Sequence, residues 1–240
     1  MKIAIITFII GNDYKKAMNI GIQSKIEYAK KHGYDLHIGG NDVWDRSRPI
    51  PWSKLKYIEK FLDKSVYDYD YLFVSDADVL ITNSDVKLES FLPLMEGKDL
   101  MWTYDICDHF NSGHMFIRCD NGESVCWLKS YFEDVWKCEE LIHHIWWENA
   151  GMIQVFQTNS VHQSHIKTLN ESWLFNAYLF DASGKAFDSP RRLWQKGDFL
   201  VHFAGVYQLS KISQMMGYVQ KCLESGSDVD RTLLENFLKV

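Results

Sequence analysis

The sequence predicts an α/β fold with a mostly parallel central sheet, and three observations predict it. Strand-like and helix-like segments alternate β-α-β-α-β through residues 1–75. The first candidate strand, "KIAIITFII", is a continuous apolar run, the pattern of a strand covered on both faces. The third candidate strand stops at two aspartates, Asp76 and Asp78, and sheets of this kind gather ligands at the carboxyl ends of their strands.

The elements follow in order. "KIAIITFII" (2–10) reads as the first buried strand. Residues 14–32 have helical spacing, with Met18, Ile22, Ile26 and Ala29 on one stripe and Gly33 placed to end the helix. "YDLHI" (34–38) is a second strand, and "GGNDVWDRSRPIP" (39–51) a polar loop. Residues 52–64 form a second helix with Leu55, Ile58 and Leu62 inward, and "YDYLFVS" (69–75) a third strand. Farther on, "DLMWTY" (99–104) and "HMFIRC" (114–119) read as strands. Residues 123–137 read as a helix burying Val125, Leu128, Phe132 and Val135. "HHIWWENAGMIQVFQ" (143–157) is loop and then short helix, and "GDFLVHFAG" (197–205) a late strand with a glycine turn. The last thirty or so residues hold one or two amphipathic helices. With no repeat, linker or composition break, one domain is expected over 240 residues.

Composition narrows the function. The net charge is −6 and no basic tail or helix is present, which argues against a nucleic-acid partner, since phosphate neutralisation needs clustered Lys and Arg. Abundant aromatics suit carbohydrate binding and a packed core equally. The five cysteines are odd in number and form no C-x-x-C pair, which fits a reducing compartment. "MKIAIITFII" lacks a following small-residue cleavage site, and no apolar stretch nears the roughly 20 residues of a membrane helix. A cytoplasmic chain with no integral membrane segment is the expectation.

The aspartates carry the chemistry. Side chains at i and i+2 of extended chain point to the same side. Two carboxylates held so repel, and a hard divalent cation relieves that repulsion. The alternative is that each carboxylate caps local backbone N–H groups where the strand turns.

Six separated segments decide the context. "SKIEYAKKHGYDLH" (24–37) resembles the N-K-x-x-Y-A-x-x-H-G-Y signature of glycosyltransferase family 34, with Ser24 for the usual Asn. That family contains yeast galactosyl- and mannosyltransferases and plant xyloglucan xylosyltransferases. "PWSKL" (51–55) is similar to its W-x-K element, and "YDYDYLFVSDADVLITN" (67–83) to its strand with D-x-D. "FNSGHMFIR" (110–118) resembles its N-T-G strand, "ESWLFNAY" (171–178) its R-x-x-N-S/A-Y segment, and "LWQKGDFLVHFAG" (193–205) its W-x-x-G-D-F-x-V-H-F-A-G segment.

The resemblance implies a GT-A fold and a divalent metal, usually Mn²⁺, with Mg²⁺ the other choice. It implies transfer of a hexose or pentose, with retention, from a nucleoside diphosphate sugar to a glycan or glycoconjugate. The donor would be UDP-galactose, UDP-xylose, UDP-glucose or GDP-mannose. Residues 1–110 would form the nucleotide-binding half, 111–206 the donor-sugar and acceptor half, and 207–240 C-terminal helices. Eukaryotic family members carry a membrane anchor, so a Golgi lumen location would apply to a trimmed catalytic domain.

By the family pattern Asp76, Asp78 and His202 are the metal ligands. Asn111, Ser112 and Gly113 lie near the donor sugar, and Ala77 and Gly205 complete the donor contacts. "NSG" is also an ordinary turn. Lys54 either reaches a phosphate or is solvated on its helix, and Thr7 either meets the nucleotide or merely ends a strand. "WWENAG" (146–151) aligns with the family's acid-amide element, placing Glu148 and Asn149 as catalytic residues. Glu148 would attack or stabilise the anomeric carbon, or simply favour a helix N-terminus. Trp146 and Trp147 would stack on an acceptor sugar or pack inside. After "HFAG" the family's Cys and basic residue are replaced by Val206 and Tyr207, leaving Tyr207 or Lys211 to meet the diphosphate. Two other readings compete. One is a non-catalytic nucleotide-sugar or glycan-binding module. The other is a D-x-D phosphotransferase, which would carry Thr where Leu80 stands.

Overall fold

The computed structural model describes residues 1–106, 109–120, 122–179, 192–206 and 208–234. The first half comprises β1 (Ile3–Phe8), α1 (Asn12–Ala17), α2 (Asn19–His32), β2 (Asp35–Gly39), α3 (Ser53–Lys60), β3 (Tyr71–Ser75), β4 (Val79–Ile81) and β5 (Leu100–Thr103). The second comprises β6 (His114–Arg118), α4 (Gly122–Trp136), α5 (Trp147–Thr158), α6 (Ser160–His165), β7 (Ile166–Leu169), β8 (Leu200–His202) and α7 (Leu209–Ser225). Six strands form one sheet in the order β2-β1-β3-β6-β5-β7, and β4 pairs with β8 in a second, small sheet. In the large sheet β6 runs antiparallel to both its neighbours, while the other adjacent pairs are parallel. The expected α/β fold with a mostly parallel sheet is what the chain adopts.

Both faces of the sheet are covered, as the unbroken apolar runs require. Ala4, Ile6, Leu72, Val74, Leu100 and Trp102 pack with Leu55 and Ile58 of α3 and Leu128 and Phe132 of α4. Their strand neighbours Ile3, Ile5, Phe73, Met101 and Phe116 face the other way, against Tyr28 and Ala29 of α2 and Phe199 and Leu200 around β8. A third cluster joins α1, α2 and α7 to the small sheet through Met18, Leu80, Val201, Met215 and Met216. The small sheet thus packs between one face of the large sheet and the helices α1, α2 and α7, and it carries segments that flank the aspartates after β3 and His202.

Three expectations need correction. The helix expected over 14–32 is broken at Met18, which serves as C-cap of α1 and N-cap of α2. On α2 Ile26 is not inward; it is 36% exposed, and Lys25 takes the buried place. The stripe is rotated because Lys25 has a partner on β4, described below. The strand β7 was not expected at all. Gly33 does end α2 in the left-handed conformation, φ 74°, a backbone that glycine adopts without a Cβ clash. Among the described residues no helix is long and apolar enough to cross a membrane.

Candidate functional site

The β3–β6 ladder extends one residue beyond β3: the Asp76 N–H donates to the Gly113 carbonyl at 2.8 Å. The chain then enters β4, which pairs with β8 so that Val79 stands opposite His202. The Phe203 N–H donates to the Asp78 carbonyl (2.9 Å) and the His202 N–H to the Ala177 carbonyl (2.7 Å). These backbone bonds bring three side chains from distant segments together. One ligand atom each from Asp76, Asp78 and His202 lies within 4.8 Å of the others, and Asp78 Oδ1 is 3.4 Å from His202 Nε2.

The group fits a divalent cation. Ligands about 2.1 Å from one ion stand roughly 3–4.2 Å apart, depending on the angle between them. The donor set of two carboxylates and one imidazole suits Mn²⁺ better than Mg²⁺. Gly113 forms one wall of the cradle. A Cβ there would stand 2.6 Å from His202 Cε1, 2.6 Å from Asn111 Oδ1 and 3.0 Å from Asp76 Oδ2, so any side chain would displace the ligands.

The histidine tautomer follows from its other nitrogen. His202 Nδ1 is 2.8 Å from Asn176 Oδ1, and His114 Nδ1 is 3.1 Å from the same oxygen. Asn176 is fully buried, and its amide nitrogen donates to Thr103 Oγ1 (3.2 Å). An amide oxygen only accepts, so both imidazoles carry hydrogen on Nδ1, and His202 turns its Nε2 toward the aspartates. His114 is held neutral well below the usual histidine range, by burial and then by His202. Burial raises Asp76 against the pull of Lys54. Burial works on Asp78 in the same direction, but His202, a backbone hydrogen bond and Lys25 together outweigh it and hold that carboxyl below its ordinary value.

Lys54 is not solvated. It is 4% exposed, and its ammonium bridges Asp76 Oδ1 (2.8 Å) and Glu148 Oε1 (2.9 Å). It also donates to the Ser112 carbonyl at 3.2 Å. Burial opposes its charge, but the two carboxylates more than compensate and raise its pKa. Glu148 Oε1 further accepts from Ser112 Oγ (3.0 Å), while Oε2 is buried without a partner. Burial pushes the Glu148 carboxyl up, with Lys54 opposing. Asn149 uses both ends of its amide on backbone: Oδ1 accepts from the Ser112 N–H (2.8 Å) and Nδ2 donates to the Phe110 carbonyl (3.0 Å). With Asn111 Oδ1 accepting from the Gly113 N–H (2.8 Å), the 110–113 turn is pinned from both sides.

Just before the buried Glu148, Trp147 opens α5 in the left-handed region, φ 47°, a strained conformation for a bulky residue. Trp146 and Trp147 are each 40% exposed, so they are not core packing. The Trp146 ring lies against His109 with centroids 3.9 Å apart. Thr7 and Ala77 are buried, Thr7 Oγ1 without a partner. Gly205 turns the chain after β8 at φ 78°. Tyr207 lies outside the described residues, and Lys211 sits in the first turn of α7. A cavity of about 450 Å³ opens beyond the carboxyl ends of β1 and β2, lined by residues that include Ile9, Gly11, Asn12, Gly40 and Asn41.

Three residues near the site escaped the sequence reading. Tyr14 has its phenol held well above the ordinary range by burial and then by Asp78 and Asp76. Asn176 sits in the quoted segment 171–178 without an assigned role. Lys25 is wholly buried. Burial draws it down to about 7, against the pull of Asp78 and Asp76. Its inward helical position was the signal that could have found it.

This architecture is the GT-A fold of nucleotide-sugar glycosyltransferases. The solved structures most like it include a glycosyltransferase involved in glycosylating the major capsid of PBCV-1. That structure has TM-score 0.64 and 12% identity, over 90% of this chain and 99% of the other. GlyE of Streptococcus pneumoniae TIGR4 has TM-score 0.59 and 12% identity, over 95% of this chain and 66% of that one. Mouse xyloside xylosyltransferase 1 has TM-score 0.50 and 9% identity, over 85% and 98%. No curated protein matches the sequence. Residues 1–100 match the model of the galactosyl transferase GMA12/MNN10 family, in line with the resemblance to glycosyltransferase family 34 drawn above. Fold and family match together support a role in glycosyl transfer.

Proposed function

We propose that the protein is a single-domain, Mn²⁺-dependent retaining glycosyltransferase. It would move a hexose or pentose from a nucleoside diphosphate sugar to a glycan or glycoconjugate. The observation that carries this reading is the convergence of Asp76, Asp78 and His202 at the carboxyl edge of a GT-A sheet. Bound there, a dication supplies charge neutralisation for the departing diphosphate.

The chain's own groups do the rest. Asn176 fixes the His202 tautomer, and Gly113 leaves room for the three ligands. Thr7 and Ala77 line the strand ends beside the nucleotide, with Gly205 completing the donor contacts. The turn Asn111–Ser112–Gly113, held by Asn149, positions the donor sugar. Glu148 is separated from Asp76 by a single ammonium and supplies the carboxylate that faces the anomeric centre. Lys54 opposes the upward push that burial exerts on this carboxyl. Trp146 and Trp147 offer flat apolar surface to the acceptor sugar.

The test is turnover of UDP- and GDP-sugars with Mn²⁺. Asp78→Asn and His202→Ala should abolish metal-dependent donor hydrolysis with the fold intact by circular dichroism. Wild-type turnover in either variant would refute the ligand assignment. No turnover of any donor by the unsubstituted protein, despite donor binding, would favour a non-catalytic sugar-nucleotide module.

A further inference from the structure

We propose that α2 is the positioning element of the metal centre, its Gly21, Ser24 and Lys25 holding the outer edge of residues 77–81 so that the aspartates are aimed in advance of the cation. This rests on the metal reading above. It also gives a role to the "SKIEYAKKHGY" motif, which the proposed chemistry leaves unused.

One edge of β4 is paired with β8. The other edge exposes the Ala77 and Val79 carbonyls and the Ile81 N–H, and no strand covers it among the described residues. Helix α2 covers it instead. A Cβ on Gly21 would stand 2.5 Å from the Val79 oxygen and 2.8 Å from the Ala77 oxygen, so the helix backbone is pressed directly on this edge. Lys25 Nζ donates to the Val79 carbonyl at 3.0 Å. Ser24 Oγ accepts from the Ile81 N–H at 3.2 Å and donates to the Gly21 carbonyl at 2.7 Å.

The same helical stripe continues down the following segment. Tyr28 donates its hydroxyl to the Val86 carbonyl (2.7 Å), and His32 Nε2 meets the Ser84 carbonyl (2.7 Å). Positions 21, 24, 25, 28 and 32 share one face at helical spacing. The motif is therefore a comb whose teeth grip the backbone that follows the aspartates. Lys25 is its most costly tooth: an ammonium buried without a carboxylate in hydrogen-bond reach needs a strong local reason. That reason is the pair of aspartates carried on the backbone it holds.

The sign of one measurement separates positioning from plain electrostatics. In Mn²⁺ titrations followed by electron paramagnetic resonance, Lys25→Met should weaken binding about tenfold or more, as loss of groups supporting metal ligands does. With the titration run below about pH 7, where Lys25 is charged, Coulomb's law alone predicts the opposite, because removing a positive charge favours a cation. Gly21→Ala changes no charge and should also weaken binding. Ser24→Ala, which deletes the acceptor for Ile81 and the hydroxyl's own bond to the Gly21 carbonyl, should do so several-fold and is the mildest test if the others fold poorly. Tyr28→Phe, which loses the bond to the Val86 carbonyl well past the aspartates, should lower the melting temperature and leave Mn²⁺ affinity as it was. Unchanged or tighter Mn²⁺ binding in folded Lys25→Met or Ser24→Ala overturns the inference and leaves the metal reading standing. No Mn²⁺ binding by the unsubstituted protein overturns both.

Discussion

Replacing Lys54 by Met tests whether the site is built around a buried cation. Met preserves the stem and removes an ammonium that touches Asp76 Oδ1 at 2.8 Å and Glu148 Oε1 at 2.9 Å. Asp76 has a quarter of its side chain in solvent and can shed the loss. Glu148 cannot: its side chain is 3% exposed, and without Lys54 its one remaining partner among the described residues is Ser112 Oγ. The cheapest response is protonation of Glu148. At pH 7, about 2.5 pH units above the ordinary glutamate value of 4.5, that costs at most about 3.4 kcal/mol relative to the unsubstituted protein, where burial already raises this carboxyl. This lies within the roughly 3–5 kcal/mol typical for breaking a buried pair. For a chain of this size it should lower the melting temperature by roughly 7–14 °C.

The origin of the cost also sets its pH dependence. In the variant the folded-state pKa of Glu148 lies far above its unfolded value. The carboxyl is then no burden below pH 4.5 and becomes one as the pH rises. The penalty of Lys54→Met should therefore shrink to about 1.4 kcal/mol at pH 5.5. The double variant Lys54→Met/Glu148→Gln should recover most of the neutral-pH loss, because the amide has no charge to neutralise. Chemical denaturation in EDTA at the two pH values measures both effects. A penalty under about 1 kcal/mol, or one equal at both pH values, would refute the buried-bridge argument.

Three further outcomes are expected. Gly113→Ala, whose Cβ would crowd His202 and Asp76 at 2.6 and 3.0 Å, should reduce Mn²⁺ affinity about 100-fold. Calorimetry on the folded variant reads this out, and wild-type affinity would mean the turn relaxes freely. Asn149→Ala loses two buried bonds to backbone. It should cost about 2–3 kcal/mol of stability and lower kcat more than it raises the donor KM; steady-state kinetics beside thermal melts check this. UDP should bind at least about tenfold tighter with Mn²⁺ than in EDTA, since Asp76, Asp78 and Glu148 repel a bare diphosphate. Equal affinity in both buffers would deny that donor and metal share the site.

The strands that were legible in the sequence are those whose physics leaves a one-dimensional trace. β1, β3, β5 and β6 are apolar over most of their length because α3 and α4 cover one sheet face and α2 with the β8 segment the other. The reversal of β6 left no such trace, since alternation of faces is the same in either direction. β7 was missed because "IKTL" is four residues with Lys167 and Thr168 half-buried, too short and too mixed for a period to emerge. The break at Met18 carries no glycine or proline. It follows from α1 turning to pack on α7, a contact made by residues nearly two hundred positions later.

The site divides along the same line. Asp76 and Asp78 were visible because two charges interrupt an apolar run, and His202 because its segment resembles a known one. Lys54 stood between two readings because helical periodicity scores a lysine as polar whether it faces water or a carboxylate. What puts it inside is Glu148, on a helix far along the chain, and nothing local to "PWSKL" encodes that partner. Lys25 is the sharper case. The buried face of α2 runs through Met18, Gly21, Ile22, Lys25, Tyr28 and Ala29. Choosing Ile26 over Lys25 for that face followed hydropathy where position pointed elsewhere. A charged residue at an inward helical position must meet something that offsets its desolvation. In a chain with an unpaired strand edge just past an aspartate pair, that edge is the place to look.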